Sequence, residues 1–309
     1  MRKIAFVFPG QGSQYVGMGQ DLYNNNASVK DIYIKANETL GYDLKDLSFN
    51  GPAEELNKTF RTQPCIVTAS IAAYKVLIDS GVTPSITAGH SLGEYSALVA
   101  ASVMSFTDAL RLTEKRGIFM QEAVPAGVGL MAAILGLSRD VINKICTDLK
   151  TGYAACANYN SPQQIVIAGE TAAINEAIEL CKKAGAKRAI PLNVSVPSHC
   201  SLMIDASNRL NSALEAIMLT TPEIPIVNNA DAMKLSNVDS IKSSLVRQLN
   251  SPLLWEDSIN VIIESGIDTF IEVGPGKALS GLIKRIDPEV SVFNVEDSKS
   301  LDNTLKGIS

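Results

Sequence analysis

The chain has 309 residues, 46% of them hydrophobic and 19% charged, with a net charge of −5 and a pI of about 5.2. That length supports one large or two modest domains, each with its own core. The acidic balance argues against broad attraction to nucleic acid or an anionic membrane, and no apolar run is long enough for a membrane-spanning helix.

The opening MRKIAFVFPGQG has two basic residues followed by a short apolar run. It is too short for a signal-peptide core and reads as a buried strand over 4–8, ended by Pro9-Gly10. A cytoplasmic protein is expected. GPAEEL at 51–56 is a helix start, with proline in the first turn and acids near the positive end of the dipole. Gln63-Pro64 opens a long apolar helix to about Ser80, closed by Gly81. A strand at 85–89 leads into a helix opened by Ser91, and TDALRLTEKRGIFMQEAV at 107–124 is a further helix. The rhythm then changes. GLMAAILGL is a strand, and SRDVINKICTDL a helix with Ser138 as N-cap. YAACANYN and QQIVIAG are strands, ETAAINEAIELCKKAG is a helix closed by Gly185, and KRAIPLNV is a last strand. This β-α-β-β-α-β order is the ferredoxin-like pattern. Downstream come a helix to about Met218, a strand at 224–228, a helix that includes 246–249, and a strand at 267–273 ending in Gly-Pro-Gly. The fold class expected is α/β. A larger hydrolase-like domain with a parallel sheet takes residues 1–126 and 195–309. A smaller inserted ferredoxin-like β-α-β-β-α-β domain takes residues 127–194.

GHSLG at 89–93 places a serine between two glycines on a strand-to-helix turn. Such an elbow strains the backbone, exposes the serine oxygen and aims the next amide, that of Leu92, at a reacting carbonyl oxygen. The same pattern also describes an ordinary glycine-flanked turn. A reactive serine needs a base, and the chain has only two histidines, His90 and His199. His90 adjoins Ser91 on the turn and should project to another side, which leaves His199, in VPSHC, as the base. The group that orients this histidine stays open: Asp205 is near in sequence but points away if a helix starts there, and a backbone carbonyl would serve as well.

Arg116 shares a helix face with Leu112, Phe119 and Met120, whereas Arg111 and Lys115 share a polar one. An inward arginine needs an anion. That anion is either an internal carboxylate or a substrate carboxylate gripped in bidentate fashion; a third course is snorkelling to water. Other motifs fail. Gly10-Gln11-Gly12 and Gly17-Met18-Gly19 lack the third glycine of a dinucleotide site, and Gly276-Lys277 lacks the hydroxyl residue of a phosphate loop. The cysteines Cys65, Cys146, Cys156, Cys181 and Cys200 are odd in number and never spaced as Cys-x-x-Cys, against both a disulfide framework and a zinc site. With no metal cluster, the residues indicate cofactor-free nucleophilic chemistry.

FPGQGSQYVGMG, GHSLGEYSALVAA, KRGIFMQEA, ANYNSPQQIVIAG, VSVPSHCSLM and IEVGPGKAL occur in this order across nearly the whole chain. Together they resemble the malonyl-CoA:acyl-carrier-protein transacylase family; polyketide acyltransferase domains are similar relatives. The resemblance implies that Ser91 is the nucleophile and His199 its base. It implies an oxyanion hole of the Gln11 and Leu92 backbone N–H groups, Arg116 on the malonyl carboxylate, and a main-chain carbonyl near Gln248 orienting the histidine. It further implies malonyl-CoA and holo acyl carrier protein as partners, no nucleic acid or membrane partner, no cofactor and no metal. Because the family's carrier is acidic, Lys182-Lys183, Lys187-Arg188 and Lys284-Arg285 become candidate docking pairs. A serine thioester hydrolase, a trans-acting polyketide acyltransferase and a non-catalytic scaffold are the competing readings.

Overall fold

The computed structural model describes residues 3–125, 127–192 and 196–308. Strand β1 (Ile4–Phe8) is buried along its length. Helices α1 (Gln20–Asn25), α2 (Ala27–Leu40), α3 (Leu44–Asn50) and α4 (Ala53–Leu56) follow. The long apolar helix α5 (Thr59–Asp79) starts earlier than Gln63, so Pro64 sits inside it. Its added first turn is held by packing: the bare α-carbon of Gly117 lets the Phe60 backbone lie directly against the next long helix. Burial there outweighs the single backbone bond that a proline removes. Next come β2 (Ile86–Gly89), α6 (Gly93–Ala100) and α7 (Phe106–Ala123). Ser91 does not open α6; it occupies the turn before it.

The middle of the chain forms β3 (Gly129–Leu135), α8 (Arg139–Asp148), β4 (Ala154–Ser161), β5 (Gln164–Glu170), α9 (Thr171–Lys183) and β6 (Arg188–Pro191). Ser138 takes the N-cap position of α8 without a side-chain cap bond. The last strand ends at Pro191, so its expected end at 194 falls outside the described residues, as does part of each expected domain junction. The chain then adds α10 (Ile204–Glu215), β7 (Ile226–Val227), β8 (Lys234–Leu235), α11 (Val238–Asn250) and α12 (Trp255–Glu264). It closes with β9 (Thr269–Val273), α13 (Ala278–Ile286), β10 (Ser291–Val295) and α14 (Ser298–Ile308).

Two sheets result. The larger has the order β10-β9-β1-β2-β7-β8, parallel except for the last pair. Its central strands β9, β1 and β2 are buried along their length, as a sheet covered on both faces requires. The smaller is antiparallel with the order β4-β5-β3-β6. Numbered within the inserted segment this is 2-3-1-4, the strand order that a split β-α-β pair produces, so the expected ferredoxin-like pattern is present. The small sheet is tied to the larger body along β4, by the connection between α11 and α12: Tyr159 N–H donates to the Leu253 carbonyl at 2.9 Å and Leu253 N–H to the Ala157 carbonyl at 2.8 Å. All five cysteines are buried and unpaired. Among the described residues, no helix is long and apolar enough to cross a membrane.

The elbow depends on two close backbone approaches. A Cβ on Gly89 would run into the Gly93 backbone, and one on Gly93 would run into the carbonyl of Phe8. Gly93→Ala should therefore cost about 2–3 kcal/mol by overpacking. Gly281→Ala, on an open face of α13, should gain about 0.5–1 kcal/mol. Urea unfolding midpoints of the two variants check both signs.

Candidate active site

The two residues that form the reactive pair both have left-handed backbone, with φ of 52° at Ser91 and 62° at His199. For residues other than glycine this conformation costs about 1–3 kcal/mol each, so surrounding bonds must hold it. At the elbow, Ser91 N–H donates to Asn229 Oδ1 at 2.7 Å, and its carbonyl accepts from Gln248 Nε2 at 3.1 Å and from Glu94 N–H at 3.1 Å. At the histidine, the backbone N–H donates to the Leu249 carbonyl at 3.0 Å. The strain turns both side chains toward each other across the cleft between the sheets.

Ser91 Oγ lies 2.8 Å from His199 Nε2, and His199 Nδ1 lies 2.7 Å from the main-chain oxygen of Gln248. A carbonyl only accepts, so Nδ1 carries the hydrogen and Nε2 presents its lone pair to the serine hydroxyl. The open question of the orienting group is answered by a carbonyl; Asp205 is exposed on α10. His199 is buried, and burial first, then the charge of Arg116, hold its imidazole down at about 3, against the opposing pull of the Gln248 carbonyl.

Arg116 is 1% exposed. Nη1 donates to Gln63 Oε1 at 2.9 Å, and Nη2 donates to Gln248 Oε1 and to Ser91 Oγ, each at 3.1 Å. Its guanidinium carbon is 5.6 Å from the centre of the Tyr95 ring. Among the described residues no carboxylate forms an ion pair with it, and its Nε has no acceptor. Of the sequence alternatives, snorkelling is excluded by the burial of the side chain, and no internal carboxylate pairs with it directly among the described residues.

The loop after β1 packs on the elbow. His90 N–H donates to the Phe8 carbonyl at 2.9 Å, and a Cβ on Gly10 would strike the carbonyl of His90. This brings Gln11 to the cleft wall. Among the described residues the Gln11 and Leu92 amides meet no acceptor. The cleft is open to solvent and is lined by Gln11, Ser91 and Arg116 and by Met131, Asn158 and Asn160 of the small sheet. His90 also lines it, with Nε2 2.9 Å from Asn160 Oδ1. It turns away from Ser91, as expected, but not out of the site. Sequence reading missed Gln63, Asn229, Asn160 and Glu94. In the sequence Gln63 stands out only as the neighbour of Pro64, and Glu94 only as part of GHSLGEYSALVAA. Among the described residues no group of acids, histidines and cysteines could hold a metal ion.

The acyl transferase domain family matches residues 5–293. The malonyl CoA-acyl carrier protein transacylase of Haemophilus influenzae is 48% identical over 305 residues, 98% of each chain. The crystal structure of an acyl carrier protein S-malonyltransferase from Vibrio cholerae superposes with a TM-score of 0.95 at 48% identity, covering 98% of this chain and 99% of that one. A malonyl-transacylase solved in complex with a type II PKS acyl-carrier protein gives 0.97 at 46% identity, with 99% of each chain covered. Elbow, buried arginine and whole-length similarity agree: the chain belongs to the acyl transferase family, within its group of malonyl CoA-acyl carrier protein transacylases.

Proposed function

We propose that the chain moves a malonyl group from malonyl-CoA to the phosphopantetheine thiol of holo acyl carrier protein, supplying fatty-acid elongation. The observation that carries this reading is a guanidinium buried beside the nucleophile that, among the described residues, has no carboxylate in direct ion-pair contact. A thioester ending in a carboxylate supplies that charge, and its carbonyl then falls near Ser91 Oγ.

The mechanism is ping-pong. His199 Nε2 takes the hydroxyl proton of Ser91 as Oγ adds to the thioester carbonyl. The Gln11 and Leu92 amides hold the oxyanion; one such donor is worth about 3 kcal/mol. The C–S bond breaks, coenzyme A leaves as its thiol with the proton from His199, and malonyl-serine remains. The carrier thiol gives its proton to His199, attacks the ester carbonyl, and Ser91 Oγ leaves with that proton. No step calls for a metal or a cofactor. The substrate carboxylate also neutralises Arg116, which removes one of the influences that weaken the His199 base, second only to burial. Acetyl groups bring no such relief.

The acyl carrier is docked by exposed basic side chains of this chain. Lys182, Lys183, Lys187, Arg188, Lys284 and Arg285 are all exposed, and Arg285 reaches Gln164 at the start of β5. Complementary charge there raises the encounter rate with an acidic carrier. The larger domain is read as residues 1–126 and 195–309, the smaller as 127–194, and the protein as cytoplasmic. A polyketide carrier is a second reading, favoured by the similarity to the carrier complex. Parallel loading of fatty-acid and type II PKS holo carriers decides between the two.

Three outcomes are expected. Incubation with malonyl-CoA should leave a malonyl adduct on the intact chain by mass spectrometry, and Ser91→Ala should abolish it. A persisting adduct moves the nucleophile elsewhere, and malonate release without carrier loading makes the chain a hydrolase. Arg116→Ala should lower malonyl transfer roughly 10- to 100-fold more than acetyl transfer, from about 1.5–3 kcal/mol for a charged hydrogen bond at 1.4 kcal/mol per decade. The third concerns pH. A lowered imidazole pKa keeps the base neutral below the ordinary histidine value of 6.5. The acid limb of kcat/KM, which reports the free enzyme, should therefore lie well below pH 6.5. A limb at ordinary histidine values contradicts this assignment.

A further inference from the structure

Glu94 lies on the first turn of α6, three residues past the nucleophile, and is fully buried. Its Oε2 accepts from Gln248 Nε2 at 2.8 Å and from Asn229 N–H at 3.1 Å, while Oε1 has no partner. Both partners touch the elbow. Asn229 Oδ1 holds the Ser91 amide, and Gln248 holds the Ser91 carbonyl, with its own main-chain oxygen on His199. The Gln248 side chain also fixes an order of charge. Its NH₂ faces Glu94 and its oxygen faces Arg116, so a single amide stands between a buried carboxylate and a buried guanidinium.

The mechanism above leaves this acid without a task. A lone buried carboxylate is expensive unless a positive charge is near. The charged or titratable groups that act on Glu94 are Arg116 of α7, which favours its charged form, and Asp231 of the β7–β8 turn, which opposes it and is itself paired with Arg247. Tyr95, its neighbour on α6, is held up at about 12 and stays neutral. His199, on the far side of Gln248, is neutral as well. Arg116 is thus the one positive group acting on Glu94 among these.

We propose that Glu94 is the resident counter-charge of Arg116, acting through Gln248, and that it takes up a proton from solvent when a substrate carboxylate docks on Arg116. The balance is simple: site with Glu94 ionised, plus malonyl carboxylate, plus one proton, gives the docked carboxylate and a neutral Glu94. Its protonated Oε1 then remains without a charge to bury. Two supports are independent. One is the unpartnered oxygen, which has room in its bonding for a hydrogen. The other is that burial already raises the Glu94 carboxyl to about 7, with the nearby Arg116 charge among the influences that oppose the rise. Loss of that opposing charge to a substrate raises it further. Glu94 is on this account a positioning residue for specificity: a substrate without a carboxylate leaves the internal pair intact.

The inference rests on Arg116 binding the substrate carboxylate, and one experiment separates the two. Ser91→Ala enzyme, which cannot turn over, is titrated by calorimetry at pH 7 with malonyl-CoA and with acetyl-CoA, each in two buffers of different ionisation enthalpy. The coenzyme A portion is common to both ligands, so its own titration cancels. Net proton uptake is expected for malonyl-CoA over acetyl-CoA, and malonyl-CoA affinity should fall with rising pH above 7, by up to about tenfold per pH unit. Adding Glu94→Gln should remove both effects. Tighter binding of malonyl-CoA with no excess proton uptake overturns the Glu94 proposal and spares Arg116. Uptake that survives Glu94→Gln overturns it too, by placing the proton on another group. Equal affinity for the two ligands removes the Arg116 reading and this proposal with it. The comparison of the two ligands on Ser91→Ala alone stands even if the double variant does not fold.

Discussion

One buried cation with no anion in direct contact among the described residues governs this molecule. The Arg116 guanidinium is enclosed by α7, the elbow and α11, and its contacts are neutral: two glutamine oxygens, a serine hydroxyl and a tyrosine face. Neutral amides solvate such a charge without cancelling it. The site therefore keeps a positive field beside the nucleophile, offset only from behind Gln248 by Glu94. That field depresses the basicity of His199, stabilises an ionised Glu94, and makes a carboxylate-bearing acyl group the natural occupant. Selectivity and base strength become parts of one electrostatic arrangement.

The second requirement is geometric. The larger sheet supplies β1 and β2 side by side, so the loop with Gln11 and the elbow with Ser91 leave the same edge of the sheet. α11 supplies Gln248, whose backbone and side chain serve His199, Ser91, Glu94 and Arg116 at once. The small sheet closes the opposite wall with Asn158 and Asn160, and is tied to the larger body through Leu253, shortly after Gln248. A chain order with the small domain inserted between Arg116 and His199 thus brings two distant segments to opposite sides of one cleft.

Much of this was legible in the sequence. The reduced histidine pool pointed to His199, glycines at 89 and 93 marked the elbow, and the β-α-β-β-α-β rhythm marked the small domain. Local signals serve such features well, because turn chemistry and periodicity are written in neighbouring residues. What stayed hidden is long-range. Gln63 lies 53 residues from Arg116, and Asn229 lies 138 from Ser91; no periodicity connects them. Pro64 misled because packing against Gly117 overrode its usual place at a helix start. The edge strands β8 and β10 and the helices α12 to α14 were not singled out either, since short amphipathic segments carry weak patterns.

The left-handed backbone at positions 91 and 199 has a consequence for the fate of the chain under drift. Glycine accepts that conformation freely, so a change to glycine at either position discards the chemistry while easing a local strain. Such a product is dead yet sound in its fold, and the cellular machinery that removes unfolded chains has nothing to detect. Only demand for the reaction itself keeps these two uncomfortable residues in place.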